Sequence, residues 1–397
     1  MPIRIQAFST LKFGEYWDSR IEDLAHQLIA KLFQASVLDW SAIDAVLVAN
    51  CFAEPALGLS SLHLHLRDRL GVNKPFYLIS GSDACGAQAI QQAANLLKAG
   101  QAKRVLVLGV EKMSDLLGNQ TQSLLSSLLD QDEAFYGQTL SGAWALLTQA
   151  YLNKYQLQEA DLAQVSAWAH ERGSLNPTAQ FCSAIPAEAI LNSPFTSSPL
   201  RMLMGASFPD GASALVLEAT DDKQGIFLTA SASAHAKLPL AHREDLTFLT
   251  STQSAAQLAY QQAGIKPDQI DLAEVHDVFA TSELMSLEVL GFCQPGEAFT
   301  LTKSIALECN SPRSARANPA SNSTLSRTAT LTINPSGGYK ACGHAPGASG
   351  IRQAVEICQH LSGQAGDRQV QKAKIGLTQT MSGAGTESII NVFQALS

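Results

Sequence analysis

Cys85 stands in the string GSDACGAQA (residues 81–89), where residue types and spacing allow nucleophilic chemistry. The apolar run PFYLIS (75–80) precedes it, and Ala87, Ile90, Ala93, Ala94 and Leu97 follow at helical spacing until Gly100 closes the pattern. The spacing predicts a strand-to-helix junction with the thiol at a helix N-terminus, where free N–H groups and the dipole favour an anion. A buried structural cysteine is the other reading. The small neighbours Ala84 and Gly86 favour the nucleophile, by the logic of a strand–turn–helix elbow.

Two histidines have flanking chemistry that sets them apart from the other seven of the nine. His276 follows the apolar run LAEV, and in parallel α/β sheets reacting groups gather at strand carboxyl ends. His344 lies in NPSGGYKACGHAPGASG (334–350), a glycine-dense loop that lets backbone approach a ligand closely, with Gly338 as a candidate substrate-facing position. MSGAGT (381–386) follows the run KIGLTQT and offers backbone N–H groups, Gly383 among them, to an oxyanion.

An internal duplication predicts how these residues meet. AIDAVLVANCFA (42–53) aligns without gaps with QIDLAEVHDVFA (269–280), and GAQAIQQA (86–93) with GASGIRQA (347–354), in the same order. Each half reads as five strands with helices between them. The first half has RIQAF, AVLVANCF, FYLIS, RVLVLGVE and ASALVLEA; the second has IFLTASA, LAEVHDVF, LTINPSG, KIGLTQTM and SIINVFQA. This predicts an α/β protein with two duplicated five-stranded, mixed or mostly parallel sheet halves covered by helices on both faces. The expected halves are 1–220 and 221–397, joined near EATDDKQG (218–225). A pseudo-two-fold would bring Cys85 and its repeat position Pro346, with His344 two residues before it, to one centre. Residues 113–206 lack a counterpart and read as a cap or subunit-contact insertion. Residues 309–330, rich in Ser, Asn, Ala and Pro, read as an exposed loop; Arg313, Arg316 and Arg327 are its possible phosphate contacts.

Composition narrows the class of function. With 46% hydrophobic and 16% charged residues, the 397-residue chain can bury a large core, and its formal charge of −8 argues against nucleic acid as a partner. The seven cysteines show no CxxC pair and no metal-ligand spacing, so no metal is expected. The N-terminus MPIRIQAFST lacks a leader pattern and no apolar stretch reaches membrane-spanning length, which together read as a reduced, cytoplasmic protein.

These strings resemble the thiolase superfamily, most closely its sterol-carrier-protein-linked branch and microbial relatives. The likeness runs end to end: KFGE, SDACGAQA, VLVLGVEKMSD, HERGSLNPTAQF, FPDGASALVLE, EVHDVFATSELMSLEVLGFC, the GHAPGASG loop and the final SGAG. The resemblance implies two fused five-strand α/β halves, assembled as homodimers or homotetramers. It makes Cys85 the acyl-carrying nucleophile and His344 its activator. His276 would bind a thioester oxygen, and the N–H groups of Cys85 and Gly383 would form a second oxyanion hole. The substrate class would be CoA thioesters of lipid metabolism, with no bound cofactor. Such a substrate is anionic, so its site must be locally basic despite the acidic total. Relatives in this branch often work with a small zinc-ribbon/OB-fold partner, which would carry any metal.

One element of the family's pattern is missing. Its second cysteine, the acid–base that moves the α-proton, corresponds to Met381 or, in the HDCF motif of this branch, to Val278. Neither side chain exchanges protons. Cys342, two residues from His344, could substitute in principle, but at that motif position the family has a packing residue. The expectation is therefore a thiolase-like acyl-CoA acyltransferase lacking its usual proton relay. The alternatives are a decarboxylating ketosynthase-like enzyme, or a subunit of a multi-protein acyltransferase.

Overall fold

The computed structural model describes residues 1–310 and 331–396. Most of the loop expected at 309–330, with its three arginines, lies outside them; residues 309 and 310 close the helix Ala298–Asn310.

Twelve strands are present among the described residues: β1 (Ile3–Thr10), β2 (Ala45–Ala49), β3 (Phe76–Ile79), β4 (Arg104–Glu111), β5 (Phe195–Ser197), β6 (Leu200–Arg201), β7 (Gly211–Ala219), β8 (Gly225–His235), β9 (Leu272–Glu274), β10 (Thr332–Ile333), β11 (Ile375–Ser382) and β12 (Glu387–Leu396). Ten of them form one sheet in the order β10-β9-β11-β12-β8-β1-β7-β4-β2-β3. From either edge inward, each half runs third, second, fourth, fifth, first. The duplication read from two short alignments is thus the architecture itself. The halves meet at β1 and β8, which pair antiparallel through Arg4 and Phe227, and residues 220–224 connect them in the chain.

The sheet is mixed. Within each half the second strand pairs parallel with the third and fourth, and the fifth pairs antiparallel with the fourth and first. The short turn 383–386 joins β11 to β12, and such a turn can only reverse the chain. Hydrophobicity does not record strand direction, so the pattern predicted the strands without it.

Period-two alternation divides the first half's core. Val46, Val48, Leu106, Leu108 and Val216 pack with Leu24, Leu28 and Leu32 of the helix Ile21–Ser36. Leu47, Ala49, Val105, Val107, Leu215 and Leu217 face Ile90, Ala94 and Leu97 of the helix Cys85–Lys98. The helix Pro346–Leu361, buried along almost its whole length, packs on β4 and β7 of one half and on β9 and β11 of the other. The stretch 113–206 forms several helices and the β5–β6 ribbon. Its helix Glu159–Gly173 packs across onto the helices Ala280–Val289 and Gly338–Cys342 of the second half.

Candidate active site

The helices led by Cys85 and Pro346 cross at glycines. A Cβ on Gly86 would lie 2.8 Å from the carbonyl oxygen of Gly347, and one on Gly109 of β4 would lie 2.3 Å from the same atom. Only hydrogen fits there, which sets the two helix starts side by side on the seam. Glu111, fully buried at the end of β4, ties the seam. Its carboxylate accepts the N–H groups of Cys51 (2.8 Å), Phe52 (3.0 Å) and Gly347 (2.9 Å). Burial pushes Glu111 up to about 7, against the pull of those donors.

The loop before Cys85 is anchored across the halves. Ser82 Oγ donates to Glu387 at 2.7 Å, and Asp83 Oδ1 accepts the N–H of Gly383 at 3.0 Å. Asp83 Oδ2 lies 3.7 Å from His344 Nε2. Asp83, His276 and His344 each present one oxygen or nitrogen within 4.8 Å of the others, and all three are buried. The structure therefore gathers the Cys85 junction, His276, His344 and Gly383, and adds Asp83.

The His276 tautomer follows from its contacts. Its Nδ1 accepts the backbone N–H of Met381 at 3.2 Å, so in the neutral ring the proton sits on Nε2, which meets no other hydrogen-bonding group. Burial and then His344 lower its pKa to about 3, with Asp83 opposing. His276 is thus a neutral donor at working pH, suited to a developing oxyanion. The His344 ring stacks on Tyr339 (4.6 Å between centroids, 6° between planes), lies tilted against Phe208 and forms a T-shaped pair with His276. Both of its ring nitrogens are free of hydrogen bonds.

The thiol itself differs from the sequence expectation. Burial, followed by Glu111, Asp83 and Glu387, pushes the Cys85 pKa well above its ordinary value. The helix terminus is outweighed first by burial and then by the charges of these three carboxylates, which come from three segments. A thiol in that state depends on a base for activation. Alkylation of Cys85 by iodoacetamide in the free enzyme should therefore climb steadily as pH rises from 7 to 10. A plateau below pH 8, followed by peptide mass spectrometry, would contradict this.

The remaining candidates separate. Gly383 has φ +56°, and a Cβ there would lie 2.7 Å from the carbonyl oxygen of Leu128 in the insertion. Its own carbonyl receives Trp144 Nε1 at 3.1 Å, and its N–H is held by Asp83. The Cys85 N–H points to Ser82 O at 3.0 Å. Both donors expected for the second oxyanion hole are therefore occupied in the resting site. Gly338 N–H is bonded to Ser336 Oγ, and its Cα faces the Asp277 carboxylate, so it shapes the loop instead of facing the pocket. The Cys342 sulfur contacts Ser336, Asn176 and Arg352, outside the histidine pair, and burial pushes its pKa up to about 12. Val278 and Met381 are buried and carry no exchangeable side-chain proton. Asp83 was missed from sequence, although a charged residue among small neutral ones in SDACG was the available signal.

Beyond the β11–β12 turn lies a cleft of about 660 Å³ lined by His235, Lys237, His242, Arg243, Phe248 and Gly385. Arg243 Nη1 donates to Ala384 O at 2.6 Å, so this charge abuts the site. Asp245 on the same rim is met by Lys154 at 3.0 Å.

A twice-repeated five-strand unit, with a cysteine-led helix on its seam, places the molecule in the class of duplicated α/β enzymes with thiolase architecture. The family profile described as "Thiolase, N-terminal domain" matches residues 4–195, and that described as "Thiolase C-terminal domain-like" matches 232–312 and 309–395. An acetyl-CoA acetyltransferase of Methanocaldococcus jannaschii is 34% identical over 98% of both chains. Human sterol carrier protein 2 is 27% identical over 94% of this chain and 67% of its own length. An Ltp2–ChsH2(DUF35) aldolase has a similar fold (TM-score 0.80, 20% identity, 99% of this chain and 98% of that one). So does human mitochondrial 3-ketoacyl-CoA thiolase (TM-score 0.73, 17% identity, 100% and 99%). The chain belongs to the thiolase family.

Proposed function

We propose that the protein is a thiolase-type acyl-CoA acyltransferase in which Cys85 takes an acyl group from a CoA thioester and passes it to CoA or to a carbon nucleophile. One observation carries this reading: a neutral His276 donor and an unbonded His344 meet Asp83, two residues before a buried thiol. In this mechanism His344 removes the Cys85 proton and the thiolate attacks the thioester carbon. His276 Nε2–H then holds the oxygen where negative charge develops. The Gly383 N–H serves the acyl-Cys85 oxygen once Asp83 releases it. Lys237 and Arg243 are the cations of the cleft that would meet the phosphates of CoA, a substrate and not a resident cofactor, with Glu244 and Asp245 also on its lining. Incubation with acetoacetyl-CoA and CoA is expected to yield acetyl-CoA and an acetyl adduct on Cys85 by intact mass. No adduct at saturating substrate would defeat the reading.

A second reading makes the chain one subunit of a larger acyltransferase with a small zinc-ribbon/OB-fold partner. Its support is the likeness of fold to the Ltp2–ChsH2(DUF35) aldolase. A small co-purifying protein needed for turnover would favour it. Homodimer or homotetramer formation belongs to the proposal too, because β3 is an open sheet edge with Tyr77 48% exposed. Light scattering returning the 42.2 kDa monomer would exclude it. Among the described residues no helix is long and apolar enough to cross a membrane. The six free cysteines among them support a reducing, cytoplasmic setting.

A further inference from the structure

We infer that Asp83 is the acid–base residue that moves the α-proton of the acyl thioester, taking the role left empty by Val278 and Met381. The inference rests on the acyl-Cys85 reading. The chemistry needs a group able to accept and return a proton, close to both the acylated cysteine and the histidine holding the enolate oxygen. Asp83 is two residues from Cys85, is 1% exposed, and shares a 4.8 Å cluster with His276 and His344.

Four other buried acids are committed to donors of their own. Glu111 holds the N–H groups of Cys51, Phe52 and Gly347; Glu387 holds Ser82 and Gln88; Asp277 holds the Tyr339 N–H; Glu274 holds Ser336. Among the described residues, Asp83 is the carboxylate that faces the histidine pair. Burial would raise its pKa, but the neighbouring His344 outweighs it and holds the carboxyl below its ordinary value, in the form that accepts a proton.

The step balances. In condensation the α C–H bond of the second acyl thioester breaks and its proton passes to Asp83 Oδ2. The electron pair becomes an enolate whose oxygen lies on His276 Nε2–H. The enolate carbon then attacks the acyl-Cys85 carbonyl, the new C–C bond forms, and the Cys85 thiolate leaves. The proton on Asp83 returns to that thiolate, directly or through His344, and restores the starting state. The resting contact with Gly383 N–H acts as a parking place. An acyl oxygen that takes this donor turns the carboxylate towards the α-carbon.

The test compares wild type with Asp83→Asn and Asp83→Glu in two assays. Washout of label from methyl-deuterated acetyl-CoA into water requires α-proton transfer, whereas acetylation of Cys85, read by intact mass, does not. Asp83→Asn should lower washout by about 10²–10⁴ while slowing acetylation by no more than about tenfold. Asp83→Glu should recover part of the washout, which also shows that the loop still folds. Undiminished washout in Asp83→Asn overturns the inference. So does a parallel loss of acetylation, which would make Asp83 a positioning residue. Tightly bound metal whose removal abolishes both reactions would overturn it as well, by making the three residues ligands. A wild type that exchanges label without an adduct on Cys85 would defeat the acyl-Cys85 reading instead.

Discussion

Replacing Cys85 with alanine is expected to lower thiolysis of acetoacetyl-CoA by about 10⁴–10⁶, the range seen when an enzyme loses its nucleophile. The loss should fall on kcat, with KM little changed, because the cleft at Lys237 and Arg243 and the donor on His276 stay in place. A merely structural cysteine would behave differently. Its truncation would leave a small cavity and lower stability by about 1–2 kcal/mol, with activity falling only as the fold weakens. Steady-state kinetics with a denaturant titration on the same sample separate the two. A Cys85→Ala enzyme with a tenth of wild-type activity would remove the acyl-enzyme from the mechanism.

The second large effect is structural. Gly347→Ala should destabilise the protein by about 3 kcal/mol or more, since the new methyl would meet backbone, not a flexible side chain. It would lie 2.6 Å from the carbonyl oxygen of Ala49 and 2.7 Å from the Cα of Asn50. The helix cannot retreat, because Gly347 N–H is bonded to Glu111 and its carbonyl nests against Gly86 and Gly109. Gly118→Ala is the control: nothing lies within 4 Å of the added carbon, and a change within about 0.5 kcal/mol is expected. Equal urea midpoints for the two variants would show that the seam yields more easily than its geometry implies.

The repeat was legible because each half buries the same faces. Ile-Asp before a strand and Gly-Ala at a helix start recur where the pseudo-two-fold repeats a packing problem. The positions of Cys85, His276 and His344 were legible for the same reason, since strand ends and helix starts are marked by local pattern. The antiparallel fifth strands were not, because direction is set by connections and apolar periodicity does not see them. Nor was the state of the thiol. Burial, and then the charges of Glu111 at the end of β4 and Glu387 at the start of β12, set it, and no local window contains that sum. Asp83 was in plain view, but its meaning depends on His344 and Gly383, some 260 to 300 residues further along. Cys342, close to His344 in sequence, has its sulfur turned towards Arg352.

The stitching of the seam bears on synthesis. A ribosome releases the Cys85 segment long before residues 344 and 383 exist, so on the proposed mechanism the nascent first half holds a thiol without the His344 base and without the Gly383 N–H. Such a thiol has the ordinary reactivity of an exposed cysteine, mostly protonated at neutral pH. Acyl-transfer competence arrives only when the last two strands close against the first half, so the final docking step of folding also switches the enzyme on.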